Sequence, residues 1–347
     1  LFGSQNQSVS LLQTINGDST QEKFGFSCSL SADGLVLAVG APWATKIVSG
    51  QTRYAGFVKI FKWDWGSSTF QTYFATAWGT PGTEGKIWGN AISGEKFGWN
   101  VELNKNGSLL VVGLAGSNNN SDCVKIYYDN GSYWGFFNPK TISSQGENSS
   151  GWYVSFSRGQ YSTAKCIIIS SRLSNNKKGE VNVYHEWGSS WINKGNTIVA
   201  TDTYHSPADV DIDEWGNTIV VGWTTSGYND FLPYQDNSTG RPGYVVIYDY
   251  VSTGNSGNWI SRAVYTGDAL GVSTALQQDY GRWGCWTGQL GWFCKLSADG
   301  QRVFIGVPQQ TNNQDGDTHV YVFETNAVGG AQGYKTTGRW ASFRPSD

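Results

Sequence analysis

The sequence predicts an all-β fold, a β-propeller of five four-stranded blades that spans residues 1–347 as a single domain. Two observations support this fold class. A phrase made of an alternating run, a tight turn and an apolar run occurs five times, and a second β-rich phrase follows each copy. Units of this size cannot bury their apolar faces alone, so the five copies are expected to stack side by side.

The first phrase is altered from copy to copy but keeps its order. It reads FGFSCSLSADGLVLAVGAP from Phe24, EKFGWNVELNKNGSLLVVGLA from Glu95, SGWYVSFSRGQYSTAKCIIISS from Ser150, SPADVDIDEWGNTIVVGWT from Ser206 and LGWFCKLSADGQRVFIGVP from Leu290. The second phrases are GFVKIFKWD, DCVKIYYDN, GEVNVYHEW, GYVVIYDY and DTHVYVFE. Together they define repeat units at roughly 24–76, 95–137, 150–192, 206–264 and 290–343.

Strand positions follow from the alternation and the turns. Units one to four each contain four candidate strands, at 26–31, 35–40, 56–63 and 69–76; at 99–103, 108–113, 123–128 and 133–137; at 152–157, 164–169, 180–185 and 190–192; and at 208–212, 217–222, 243–249 and 258–264. Asp33-Gly34 and Asn106-Gly107 are hairpin turns of the kind that such strands require. No segment has helical periodicity.

Unit five supplies only three strands, at 291–296, 302–306 and 318–323, which leaves one outer position open. Two segments compete for it, SVSLLQTI at Ser8–Ile15 and TGRWASF from Thr337. Residues 1–23 are therefore predicted to close the last blade or to be donated to a neighbouring molecule. The alternative is an ordered tail that packs on its own blade.

The succession FG, SLSADG, LAVGAP and GFVKIFKW resembles the FG-GAP-type β-propeller repeats of integrin α-subunit heads and many secreted repeat proteins. The resemblance covers nearly the whole chain and implies a fold rather than a function. Integrin-like blades often carry an Asp-rich calcium loop between their first two strands. The corresponding turns here are too short and too poor in carboxylates for calcium: SADG, NKNG, SRGQYSTA, DEWG and SADG.

Composition limits the classes of partner and location. The chain has 24 Lys and Arg against 27 Asp and Glu, a net charge of −3 without long runs of one sign, so no nucleic-acid partner is expected. No apolar segment reaches the roughly 18 residues that span a bilayer. Low charge, no Met and a start at Leu1 predict a processed, secreted or cell-surface chain, with a fragment of a longer chain as the equal alternative. Six sequons predict covalent glycans, at Asn6, Asn106, Asn119, Asn130, Asn148 and Asn237.

Two groups of residues are candidates for a special role, one as a cation or acid/base site and the other as a disulfide. Asp209, Asp211 and Asp213 share one face of the first strand of unit four, with spacings of about 6.5–7 Å. They are weak candidates for a cation site or an acid/base pair, and a hydrated polar channel in which neighbours such as Lys295 satisfy them is the favoured interpretation. Cys285 and Cys294 are a candidate disulfide, with buried free thiols as the alternative. We expect no cofactor and no metal.

Aromatic residues in the long connections predict a binding face. The loops between strands two and three and those between units emerge on the same side of a propeller, opposite the short hairpin turns. They gather Trp43, Tyr54, Trp78, Trp88, Trp223, Tyr228, Phe231, Tyr234, Trp283 and Trp286. Exposed aromatics of this kind anchor protein interfaces and stack on sugar rings.

These observations lead to a functional prediction. No nucleophile elbow, HExxH, Walker loop or GxGxxG is present, so the chain is predicted not to be an enzyme. We predict an extracellular glycoprotein that acts as an interaction or structural module and binds a protein partner or identical subunits by self-assembly. A carbohydrate-binding propeller lectin is the alternative, although a lectin should repeat similar residues in each blade. A glycoside hydrolase that uses the three aspartates is a third reading.

Overall fold

A computed structural model of the chain confirms the all-β class. It describes residues 10–73, 85–89, 96–114, 124–129, 134–135, 150–157, 166–171, 179–188, 190–200, 205–225, 243–254, 256–266, 291–307, 317–324 and 333–339. Within these ranges the helical structure is a single 3-10 turn at Thr20–Glu22. All other regular structure is β-strand, and every pairing between named strands is antiparallel.

The strands form five larger sheets in chain order. Sheet one contains β1 (Ser27–Leu30), β2 (Val36–Ala41), β5 (Phe57–Asp64) and β6 (Thr69–Thr72), with β7 (Lys86–Trp88) also paired to β5. Sheet two contains β8 (Phe97–Leu103), β9 (Leu109–Leu114), β10 (Val124–Asp129) and β11 (Trp134–Gly135). Sheet three contains β12 (Ser150–Phe156), β13 (Cys166–Ser171), β14 (Glu180–Trp187) and β15 (Ser190–Asn193), with β16 (Ile198–Val199) beside β14.

The remaining sheets keep the same order of four strands. Sheet four contains β17 (His205–Ile212), β18 (Thr218–Thr225), β19 (Tyr244–Thr253) and β20 (Ser256–Thr266). Sheet five contains β21 (Phe293–Leu296), β22 (Arg302–Val307), β23 (Asp317–Glu324) and β24 (Gly333–Arg339). A separate hairpin, β3 (Thr45–Val48) and β4 (Gln51–Tyr54), connects β2 to β5. The predicted five repeat units thus correspond to five four-strand sets.

Apolar cores lie between successive sheets. The second strand of a sheet is apolar at nearly every position because both of its faces are covered, and β9 is buried throughout. Clusters of buried side chains join sheets one and two, two and three, three and four, and four and five; representative pairs are Ile60 with Leu103, Val111 with Phe156, Ile168 with Val221, and Val220 with Ile305.

The two terminal sheets each have a face that the described residues leave open. On sheet one Leu30 of β1 is 49% exposed. On sheet five the exposed fractions are 56% for Phe293 and 41% for Phe304. No apolar cluster within the described part of the chain joins sheet five to sheet one. The described sheets therefore form a consecutive array of five.

One hydrogen bond recurs at the first hairpin of every sheet. The residue after the first strand accepts the N–H of the residue that opens the second strand, at 2.9–3.0 Å; the pairs are Ser31 with Val36, Asn104 with Leu109, Ser157 with Cys166, Asp213 with Thr218, and Ser297 with Arg302. The predicted Asp33-Gly34 turn is confirmed, with Gly34 at φ 74°. The side chain at this position closes the hairpin from within, so its polarity is required by the turn.

The N-terminal segment does not form the predicted strand. Residues 10–17 have no strand, and the amide of Gln13 instead exchanges two hydrogen bonds with the backbone of Phe70 on edge strand β6, at 2.7 and 3.2 Å. Asp18 pairs with Lys59 and Lys86 of sheet one at 3.1 and 2.6 Å. The fourth position of sheet five is filled by β24, which begins at Gly333 rather than Thr337. Residues 10–24 instead match the alternative prediction, an ordered tail that packs on the sheet of its own unit.

Glycines in the repeated phrase let neighbouring sheets approach closely. A Cβ on Gly40 of β2 would lie 2.1 Å from the carbonyl oxygen of Gly98 on sheet two, and one on Gly222 of β18 would lie 1.9 Å from that of Gly291. Both contacts are with backbone, which cannot move aside without separating the sheets. The FG and VG dipeptides of the repeat are therefore a packing requirement between neighbouring units.

Replacing Gly40 with valine is expected to lower the free energy of unfolding by about 3 kcal/mol, because the side chain would overlap the backbone of the next sheet. Urea denaturation measures the loss. Gly66→Ala is the matched control, since its Cβ would make only ordinary contact with Asp64 at 3.5 Å; its effect should stay within about 0.5 kcal/mol. Equal stability of Gly40→Val and wild type would contradict the close approach.

Candidate functional site

Charged side chains of the first strands meet at the inner edge of the array, the edge at which the first strands of successive sheets lie side by side. At their centre is Lys295 of β21, which faces Asp209 and Asp211 of β17 and Glu102 of β8. We call these four residues the axial cluster. They come from three sheets, and each reaches the inner edge because the first strand of its sheet is the innermost one.

The polar side chains of the inner strands also bond directly from sheet to sheet. An inner strand has one partner within its own sheet, so its other N–H groups need acceptors elsewhere. The preceding sheet supplies them: Ser29 accepts the N–H of Leu103 at 2.9 Å, Asn100 that of Val154 at 3.3 Å, Asp209 that of Cys294 at 3.0 Å, and Asp211 that of Leu296 at 2.8 Å. We call this pattern the inter-sheet latch.

The latch accounts for two of the three predicted aspartates. Asp209 also accepts the N–H of Val210 at 2.9 Å, and Asp211 accepts the hydroxyl of Ser155 at 2.6 Å. Both carboxylates are therefore bonded through both oxygens and are 5% and 8% exposed. Asp213 instead closes its own hairpin, where it accepts the N–H groups of Asn217 and Thr218. The three side chains alternate along the strand as predicted, yet they have separate structural partners.

No metal site is found at these aspartates. Within the described residues, no group of three or more His, Cys, Asp or Glu side chains could hold a metal ion. Burial raises the pKa of Asp209, and it raises the pKa of Asp213 as well, against the opposing effect of the N–H groups that each accepts. The N–H donors around Asp209 and Asp211 belong to the inter-sheet latch, and those around Asp213 cap its hairpin turn.

Lys295 differs from the other members of the axial cluster because its side chain is 55% exposed. Its ammonium lies 3.6 Å from Asp209. Burial among the inner strands acts to lower the pKa of Lys295, but the negative charges of Asp209, Asp211 and Glu102 outweigh it and the pKa is raised. Lys295 is therefore protonated, and it is a hydrogen-bond donor accessible to solvent at the inner edge.

The predicted binding-face aromatics have different environments. Trp43 is half-buried and packs with Phe26 and Trp99, with ring centroids 4.9 and 5.3 Å away. Tyr54 is 54% exposed, and Trp88 is half-buried beneath Lys46. Trp223 is fully buried and stacks on Tyr244, so the expectation of a surface position was wrong for it. The others lie outside the described residues: Trp78, Tyr228, Phe231, Tyr234, Trp283 and Trp286.

Cys294 is a free thiol rather than a disulfide partner. It is 1% exposed and donates to the carbonyl oxygen of Asp209 at 3.4 Å, and burial raises its pKa well above the usual value. Its predicted partner, Cys285, lies outside the described residues. This environment agrees with the alternative of a buried thiol and disagrees with the candidate disulfide at Cys294.

Of the six sequons, one falls within the described residues. Asn106 lies exposed in the first hairpin turn of sheet two, where its side-chain oxygen accepts from the N–H and hydroxyl of Ser108. Asn6, Asn119, Asn130, Asn148 and Asn237 lie outside the described part of the chain. Glycosylation of all six stays a prediction. In the same described ranges, no helix has the length and apolar character needed to cross a membrane.

Sequence reasoning missed the latch and the β3–β4 hairpin. The latch had a signal in the recurrence of Ser, Asn, Glu and Asp two residues apart on the first strands of sheets one to four, a pattern that also suits the lining of a polar channel. The sequence signal for the hairpin was the Ser-Gly pair in TKIVSGQTRY. In the structure Ser49 and Gly50 both have the positive φ of a tight two-residue turn, 51° and 77°. That segment had been predicted only as a long loop.

Comparison with known proteins supports the fold. No protein-family model matches the chain, and no curated protein matches it. A solved structure from Bacteroides uniformis, described as a putative 6-phosphogluconolactonase, has a TM-score of 0.50 at 9% identity, over 91% of this chain and 71% of that one. A protein from Lactobacillus plantarum has a TM-score of 0.49 at 10% identity, over 91% of this chain and 70% of that one. The first likeness shows a propeller-type all-β fold.

The comparison also corrects the predicted function. The predicted function of an interaction or structural module is contradicted, because the fold is shared with a structure described as a putative 6-phosphogluconolactonase. The lack of a recognised catalytic motif therefore does not separate this chain from enzymes of the same fold. The FG-GAP resemblance, the expectation that the chain is not an enzyme, and the secreted or cell-surface location stay predictions.

Replacing Asp211 tests the latch. Asp211→Ala would leave the N–H of Leu296 and the hydroxyl of Ser155 without their acceptor, and is expected to lower the free energy of unfolding by about 2–4 kcal/mol. Asp211→Asn keeps the shape, can accept from Leu296 and can donate to Ser155, so its loss should stay under about 1 kcal/mol. Thermal and urea unfolding measure both. Equal losses for the two variants would show that charge, not hydrogen bonding, sets the role of Asp211.

Proposed function

We propose that the five sheets are the five blades of one propeller and that the protein binds a small hydroxylated organic molecule at the axial cluster. The single observation that supports this site is Lys295. Every other inner strand carries an acceptor two residues before its hairpin-closing residue, namely Ser29, Glu102, Ser155 or Asp211. Sheet five carries a lysine there, which cannot accept an N–H and so cannot serve the latch.

The environment of Lys295 suits a ligand with hydroxyl groups. An ammonium provides three donors, and the half-buried carboxylate of Glu102 provides acceptors, so a hydroxyl can accept from one and donate to the other. Charge-assisted hydrogen bonds of this kind are stronger than neutral ones. The exposed 55% of the Lys295 side chain gives such a ligand access from solvent.

The class of ligand to test first comes from the fold comparison. The Bacteroides uniformis structure is described as a putative 6-phosphogluconolactonase, a name that refers to a sugar-acid lactone. A polyhydroxylated acid combines hydroxyls with a carboxylate that would pair with Lys295. We assign binding to the axial cluster, and no reaction step to Asp209 or Asp211, because both oxygens of each already accept hydrogen bonds.

Calorimetric titration with gluconate, and with inositol as a neutral polyol, tests the proposal. The wild-type chain should give saturable binding, and Lys295→Ala should weaken it about tenfold through loss of a charge-assisted hydrogen bond. Arg302→Ala is the matched control, since Arg302 lies on the same sheet and is 54% exposed but is outside the axial cluster. Binding that is absent from the wild type, or unchanged in Lys295→Ala, would contradict the proposal.

A further inference from the structure

A second group of cations lies on the opposite side of sheet one from its contact with sheet two, around Trp88. Lys46 and Arg53 are directly opposite each other on the β3–β4 hairpin, so their side chains share one face of it. The ammonium of Lys46 is 4.6 Å from the centre of the Trp88 ring. The other face of the hairpin points to solvent, with Ile47 78% and Tyr54 54% exposed.

The Lys46–Arg53 pair is unfavourable by itself. Like charges directly opposite in an antiparallel pair repel each other, and both side chains are half-buried. No carboxylate contributes to the pKa of Lys46, which burial alone lowers. Arg53 donates to Gln51 at 2.9 Å, and its buried Nε has no hydrogen-bond partner among the described residues. In the same part of the chain the two adjacent cations have no counter-ion, and one of them has an unused buried donor.

The neighbouring charges do not neutralise this pair. Lys86 lies 5.3 Å from the centre of the same Trp88 ring and is ion-paired with Asp18, which also binds Lys59. One carboxylate thus serves two lysines. Glu22 is the other described acidic group near these lysines, and its side chain accepts the N–H of Asp18. Counted over the described residues alone, four cations and two carboxylates leave this region positive, in a chain whose net charge is −3.

We propose that the Lys46–Arg53 pair, with Trp88 beside it, is a binding site for a small oxyanion, the phosphate or carboxylate group of a ligand. A guanidinium presents several donors in a fixed fork that matches such oxygens, and an ammonium adds a point charge. An anion between the two side chains would relieve their repulsion and satisfy the free Nε of Arg53. This site is separate from the axial cluster, which lies at the inner edge of sheets two, four and five.

Inorganic phosphate and acetate are the two probes, titrated separately into the full chain at constant ionic strength. The reporter is the indole N–H resonance of Trp88, assigned by its disappearance in Trp88→Phe. The expected result is a saturable shift with at least one of the two anions. A phosphate-selective response identifies a phosphoryl ligand, and comparable responses identify a general oxyanion site. The absence of saturation with both probes would overturn the proposal.

Substitutions test whether the anion response comes from the Lys46–Arg53 pair. Lys46→Ala and Arg53→Ala are each expected to weaken binding about tenfold, and Arg53→Lys should fall between wild type and Arg53→Ala because it keeps the charge but loses the fork. Lys62→Ala is the matched control, since Lys62 lies on sheet one but is already paired with Asp129 at 2.8 Å. Unchanged affinity in the folded Lys46→Ala and Arg53→Ala variants would also overturn the proposal.

Discussion

The structure depends on how the inner strands satisfy their backbone. Each first strand is hydrogen-bonded on one side by the second strand of its own sheet, and on β8, β12 and β21 further N–H groups meet side chains of the preceding sheet. An unpaired buried N–H costs about as much as a lost hydrogen bond or more. Side chains such as Ser29, Asn100, Asp209 and Asp211 supply the acceptors, so sheets that share no main-chain ladder are still joined by directional bonds.

This requirement separates structural polarity from functional polarity. Three aspartates on one strand suggest a cation site or a catalytic pair when they are considered alone. In the structure, two of them serve the next sheet and the third closes a hairpin. Lys295 breaks the pattern, because a lysine cannot accept an N–H as Ser29 and Asp211 do at the same position of sheets one and four. A residue that departs from a repeated structural role is a stronger functional candidate than one that fulfils it.

Charge is distributed unevenly over the five sheets. The axial cluster combines three carboxylates with one exposed ammonium, whereas the outer side of sheet one has more cations than carboxylates. The hairpin that carries Lys46 and Arg53 lies between β2 and β5 of sheet one. The two proposed sites therefore differ in position: one lies on the repeated first strands, and the other on the connection between the second and third strands of one sheet.

The sequence alone determined the fold class, because five copies of an alternating run, a turn and an apolar run can bury their faces only by stacking. It also determined the second strands and the Asp33-Gly34 turn, which depend on neighbours in the chain. Tertiary structure decided the rest. Whether Asp211 faces water or the N–H of Leu296, whether Trp223 lies on the surface, and whether Lys46 has a counter-ion all depend on residues distant in sequence. Periodicity specifies which face of a strand a side chain occupies, but the group that this face meets is set by the packing of the next sheet.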